Sequence, residues 1–180
     1  MFEKIKRFFL LFSVIFLIAG VTSFTAYNWE NMSNIEKLAV PSVLIIVGLV
    51  AYLFLKKEIY KNLAIFFSSF MIGTLFAVYG QVYQTGADVW ILFRNWAIFL
   101  IIPMVATGYY SVMTLFSIIV AIAISFYLDL YLSGAIIPFL SSLIFGIILI
   151  VYPFLQKSFK FKFNNVFYNT MIGIFYICFI

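Results

Sequence analysis

Tyr79-Gly80-Gln81-Val82-Tyr83-Gln84-Thr85-Gly86-Ala87-Asp88 is a polar, turn-forming decapeptide held between two long apolar segments. It concentrates two amides, a hydroxyl, two glycines and a carboxylate in a chain that is 66% hydrophobic. Gly86 permits a chain reversal, so Leu63–Gly80 and Asp88–Thr107 read as two helices joined by a polar turn. The surroundings decide what solvent those helices meet. Charged residues make up 9% of the chain, against about 25% in a soluble domain. A chain of 180 residues cannot hide this much apolar surface from water, so the solvent is the lipid bilayer.

Moving outward from the decapeptide, seven apolar segments appear: 8–26, 38–55, 63–80, 88–107, 111–128, 132–155 and 166–180. A helix needs about 20 residues to cross the hydrocarbon core. The seventh segment is short, which reads as a re-entrant segment or a truncated chain. The fold class is all-α, a polytopic transmembrane bundle of six to seven spans in one domain, 1–180. The basic N-terminus imitates a signal peptide, but further spans follow and the first is read as a retained anchor.

Basic residues set the threading. Lys4, Lys6 and Arg7 precede the first span, Lys56, Lys57 and Lys61 follow the second, and Lys157, Lys160 and Lys162 follow the sixth. With a cytoplasmic N-terminus these nine lie inside, leaving Lys37 and Arg94 outside, the expected bias. The Tyr27–Lys37 loop, the Gln81–Ala87 turn and the Asp129 turn then face outward. The net charge of +5 comes from these loop clusters, which points to the bilayer as partner and away from nucleic acid.

Candidate chemistry gathers on the outer side. The candidate binding residues are Asn28, Gln81, Tyr83, Gln84, Thr85, Asp88 and Arg94. Gln81, Tyr83, Gln84 and Thr85 would roof a pocket, and Asn28 would hydrogen-bond the turn that carries them. Asp88 is placed to cap the fourth span, its carboxylate accepting from a free backbone N–H. Arg94 can snorkel to the interface or face inward toward a solute or ion. Trp29, Trp90 and Trp96 read as an interfacial belt. Pro103 should kink the fourth span, and Gly108-Tyr109-Tyr110 should form a tight inner turn.

Ser69, Gly73 and Ala77 repeat every four residues on one helical face, a spacing that admits a close helix neighbour. Gly48 stands outside that stripe, so a bulky residue there should matter less than one at Gly73. No histidine is present, the single cysteine is Cys178 within an apolar run, and no motif for a metal, a phosphate or a nucleophile–base pair occurs. No cofactor, no metal and no catalytic residue is expected. The leading reading is a non-enzymatic membrane protein with a polar outer site for a small solute or a partner membrane protein, itself included. A transport unit is the alternative, and a membrane-embedded enzyme the third.

The decapeptide, with Leu92-Phe93, Trp96-Ala97 and Pro103 after it, resembles a bacterial family of predicted membrane proteins, domain of unknown function 2157. Ala26-Tyr27-Asn28-Trp29 with Lys37-Leu38 is similar to that family's first outer loop. The resemblance covers about Gly20 to Leu128 and implies a polytopic bacterial inner-membrane protein with no assigned reaction. Relatives carry a soluble N-terminal segment and further C-terminal helices, from which this chain departs.

Overall fold

The protein is described here by a computed structural model that places residues 2–131. The sixth and seventh expected spans, 132–155 and 166–180, lie outside the described residues. Among the described residues five α-helices follow one another: α1 (Phe2–Tyr27), α2 (Asn34–Phe54), α3 (Glu58–Tyr83), α4 (Val89–Thr107) and α5 (Tyr110–Tyr131). A 3-10 turn, Trp29–Asn31, lies between α1 and α2. Four of the described helices are long and apolar enough to cross a membrane: α2, α3, α4 and Tyr110–Leu130 of α5. In α1 the apolar stretch is Phe12–Tyr27.

α4 keeps its expected bounds, with Asp88 as its N-cap, whereas α2 starts earlier and α3 extends at both ends, for local reasons. α2 begins at Asn34 and not at Leu38, because Ser33-Asn34-Ile35-Glu36 forms a capping box. Ser33 Oγ accepts from the Glu36 N–H at 3.3 Å, and Glu36 Oε2 accepts from the Ser33 N–H at 2.7 Å. Two otherwise orphaned donors are satisfied. α3 starts at Glu58 and not at Leu63; Glu58 sits at the positive helix end and pairs with Lys61 one turn on, at 3.7 Å. At its other end α3 continues through Gln81 and Val82 to Tyr83, so the expected Gln81–Ala87 turn is shortened. Asp129 is likewise helical, inside α5, and not a turn residue.

Seven hydroxyls within the helices share one arrangement. Hydroxyls of Ser13, Thr22, Thr25, Ser42, Thr107, Ser117 and Ser125 each donate to the carbonyl four residues back, at 2.7–3.0 Å. Lipid offers no hydrogen-bond partner, and the carbonyl one turn back is the nearest acceptor for such a hydroxyl. Large apolar side chains are displayed outward at the same time. Phe16 is 67% exposed, Phe54 81% and Ile102 70%, which water would penalise and hydrocarbon does not.

The chain divides into two compact units, Met1–Ala87 and Asp88–Ile180. In the first, α3 is the central element, packing on both α2 and α1. Its core joins Ile18 of α1 with Phe67 and Met71 of α3, flanked by Val14, Leu44, Ile45, Phe66 and Phe70. In the second unit α4 and α5 form a hairpin. Gly108 takes φ +64° and ends α4, its N–H donating to the Met104 carbonyl at 3.0 Å. This left-handed cap is the tight turn expected at Gly108-Tyr109-Tyr110. Leu100 of α4 and Val112 of α5 are fully buried.

Candidate functional site

Three successive helices joined by short loops run alternately up and down. In the first unit this brings the C-terminal ends of α1 and α3 to one end, with Lys56, Lys57 and Lys61 at the other. Asn28 and the last turn of α3 therefore share an end. Gln81, Tyr83, Gln84 and Thr85 are all exposed there. Gln81 and Tyr83 belong to the helix, and Gln84 is its C-cap with φ 44° and ψ 49°. That left-handed conformation is uncommon for a residue with a Cβ. The Tyr83 ring lies 4.7 Å from that of Tyr79, one turn earlier. Thr85 turns back, its hydroxyl close to Gly80, and Gly86 at φ +60° completes the reversal.

Asn28 does not serve the loop expected of it. Its Nδ2 donates to the Phe24 carbonyl at 2.9 Å, and its backbone N–H donates to the same oxygen at 3.1 Å. The last free carbonyls of a helix are strong acceptors, and an Asn one residue beyond α1 reaches one without crossing to another helix.

Asp88 and Arg94 belong to the second unit. Asp88 occupies the N-cap of α4, as expected, but its side chain makes no cap hydrogen bond. Its backbone carbonyl accepts from Ile91 N–H at 3.0 Å, while the carboxylate stays exposed. Arg94 is engaged on its own helix. Its Nε and Nη2 donate to Asn95 Oδ1 at 3.2 and 3.0 Å, and its guanidinium lies 5.0 Å from the Trp90 ring centre. Trp90 meets Tyr127 of α5 edge-on at 5.1 Å, and Phe93 stacks on Phe126 at 5.7 Å. The hairpin end is thus an aromatic cluster roofed by a cation. Trp96 is only 7% exposed, so it is a core residue and not part of the expected interfacial belt. Its neighbours Ala97 and Leu100 are buried with it.

On α3, Ser69 and Gly73 are buried and Ala77 is exposed. A tight α2–α3 contact falls at Ser68, the residue before Ser69, where it faces Gly48 of α2. A Cβ at Gly48 would collide with Ser68 Oγ and stand 3.0 Å from the Ala64 carbonyl oxygen. Ser68 Oγ, itself buried, donates across the seam to the Ile45 carbonyl at 3.0 Å. Bulk at Gly48 would therefore meet the neighbouring helix directly, although that position lies outside the stripe. A single glycine facing a serine on the next helix carries no periodic signature, which is why spacing alone overlooked it. The Ser33–Glu36 capping box was also overlooked, although the Ser-x-x-Glu pattern before an apolar run announces it.

Among the described residues no group of three His, Cys, Asp or Glu side chains converges as metal ligands. The polar end of the first unit offers amide, hydroxyl and phenol groups, suited to binding by hydrogen bonds. The family model described as predicted membrane protein (DUF2157) matches residues 2–113. No curated protein and no solved structure matches the chain.

Proposed function

Because the chain belongs to the DUF2157 family of predicted membrane proteins, we propose that it is a non-enzymatic, multi-pass protein of the bacterial inner membrane. In this reading it has six to seven spans and a cytoplasmic N-terminus, and its outward polar loop binds a small solute or a partner membrane protein. The observation that carries the reading is the exposure of Gln81, Tyr83, Gln84 and Thr85 at one end of the first unit. Polar groups near hydrocarbon are costly unless paired, and water, a solute or a partner must pair these. Asp88 directly follows that loop in the sequence, and its carboxylate is not consumed by capping. The non-enzymatic part rests on the sequence, which lacks histidine, the commonest general base.

The test is complementation of a deletion strain by Asp88→Asn and Gln84→Ala, with thermal stability measured on the same purified variants. Asn caps a helix about as well as Asp, so Asp88→Asn isolates the charge from the fold. Loss of complementation with unchanged melting is the expected result. Full complementation by both variants would remove the binding role of this loop.

A further inference from the structure

Side chains of α1 and α2 line an open groove of about 630 Å³. That volume falls within the roughly 300–1,000 Å³ of small-molecule sites. On α1 the wall is Leu17, Gly20 and Phe24; on α2 it includes Val40, Val43 and Leu44. A side chain at Gly20 would meet nothing within 4 Å, so the glycine leaves a hollow in that wall.

The α2 wall has a charged end. Lys37, Val40 and Leu44 are spaced i, i+3 and i+7, so they lie along one helical stripe. Lys37 stands at the loop end of that stripe, with Nζ 4.5 Å from the Trp29 ring centre. No carboxylate pairs with it among the described residues, and the nearby Glu36 carboxylate is held by the Ser33 N–H. A tryptophan and an unpaired lysine therefore mark the interfacial end of an apolar trough. Phe16, Leu17, Phe24 and Val43 around it are each more than half exposed. Such bulky walls hinder the close backbone approach of another helix, whereas a flexible hydrocarbon chain can follow them.

We propose that this groove holds an acyl chain of an anionic phospholipid whose phosphate is met by Lys37. The apolar trough supplies chain contacts, and the single cation selects the headgroup. This site is separate from the polar loop and does not depend on its role.

The full chain, purified and delipidated in mild detergent, is titrated with phosphatidylglycerol or phosphatidylcholine of identical acyl chains, and bound lipid is read by native mass spectrometry. Wild type should retain the anionic lipid about fivefold more strongly, the preference one interfacial lysine confers. Lys37→Gln should bring that ratio to one. Gly20→Phe fills the hollow and should lose most retention of both lipids, with helical content by circular dichroism unchanged. Equal retention of the two lipids by wild type would overturn the proposal, as would undiminished retention by folded Gly20→Phe. A dimer that Gly20→Phe converts to monomer would assign the groove to a second copy of the chain instead. Should Gly20→Phe not fold, the wild-type ratio and the Lys37→Gln arm decide alone.

Discussion

Gly48 and Ser68 show how one missing side chain can set the distance between two helices. Helices in lipid gain little from burying apolar surface against each other, so close packing and interhelical hydrogen bonds carry the association. Gly48→Leu should lower the stability of the first unit by on the order of 1–3 kcal/mol, the usual cost of overpacking. Gly48→Ala gives a sharper measurement. Its Cβ would collide with Ser68 Oγ, so its cost should shrink in a Ser68→Ala background, and a double-mutant cycle in detergent would read the coupling. Additive effects would show that the two residues do not meet. Gln84 invites the opposite experiment. It holds φ 44° as the cap of α3, where glycine pays no steric penalty. Gln84→Gly should raise the melting temperature or leave it unchanged, and Gln84→Val should lower it. The first variant also separates backbone from side chain, because it removes the amide proposed to bind while easing the fold.

At the scale of elements, hydropathy located every described helix, and with Asp88 as cap the ends of α4, but not the ends of α3 or the start of α2. An apolar window detects the part of a helix that sits in hydrocarbon; it is blind to turns built from Ser33, Asn34, Ile35 and Glu36 or from Glu58 to Asn62, which extend the helix into polar surroundings. The same blindness made Gln81 and Tyr83 look like loop residues. Ser33→Ala should cost about 1 kcal/mol and fray the first turn of α2, seen as faster amide exchange at residues 34–37; unchanged exchange would show that the loop, not the cap, holds that turn. The candidate site was legible as a polar loop, and its contacts were not. Composition alone picked out the exposed polar loop. The Asn28 bond to Phe24 and the Arg94 bonds to Asn95 were not foreseeable, because short-range partners compete with distant ones and nothing in residue type ranks them. The Gly48–Ser68 seam escaped for a related reason: a close approach depends on how two helices are rotated, and one glycine does not fix a rotation.

For the whole molecule the decisive quantity is the placement of positive charge. Nine of the eleven basic residues fall on one side when the apolar segments alternate across the membrane, and Lys and Arg are retained preferentially in the cytoplasm. The first unit adds an internal consistency to that argument. Its α2–α3 turn carries Lys56, Lys57 and, just beyond, Lys61, whereas the opposite end carries the α1–α2 loop and the cap of α3. Threading that puts the lysines inside therefore puts Asn31 and Thr85 outside together, and one cannot be inverted without the other while α1, α2 and α3 all cross. In a Cys178→Ser background, single cysteines at positions 31 and 85 should react with an impermeant thiol reagent added to intact cells. Cysteines at 59 and 159 should react only after the membrane is opened. Reaction at 31 without 85 would mean that α2 and α3 do not both cross, which would undo the reading of the polar loop as an outward surface. Reaction at 59 and 159 in intact cells would reverse the orientation and place the same loop against the cytoplasm, where its solute or partner would have to be sought.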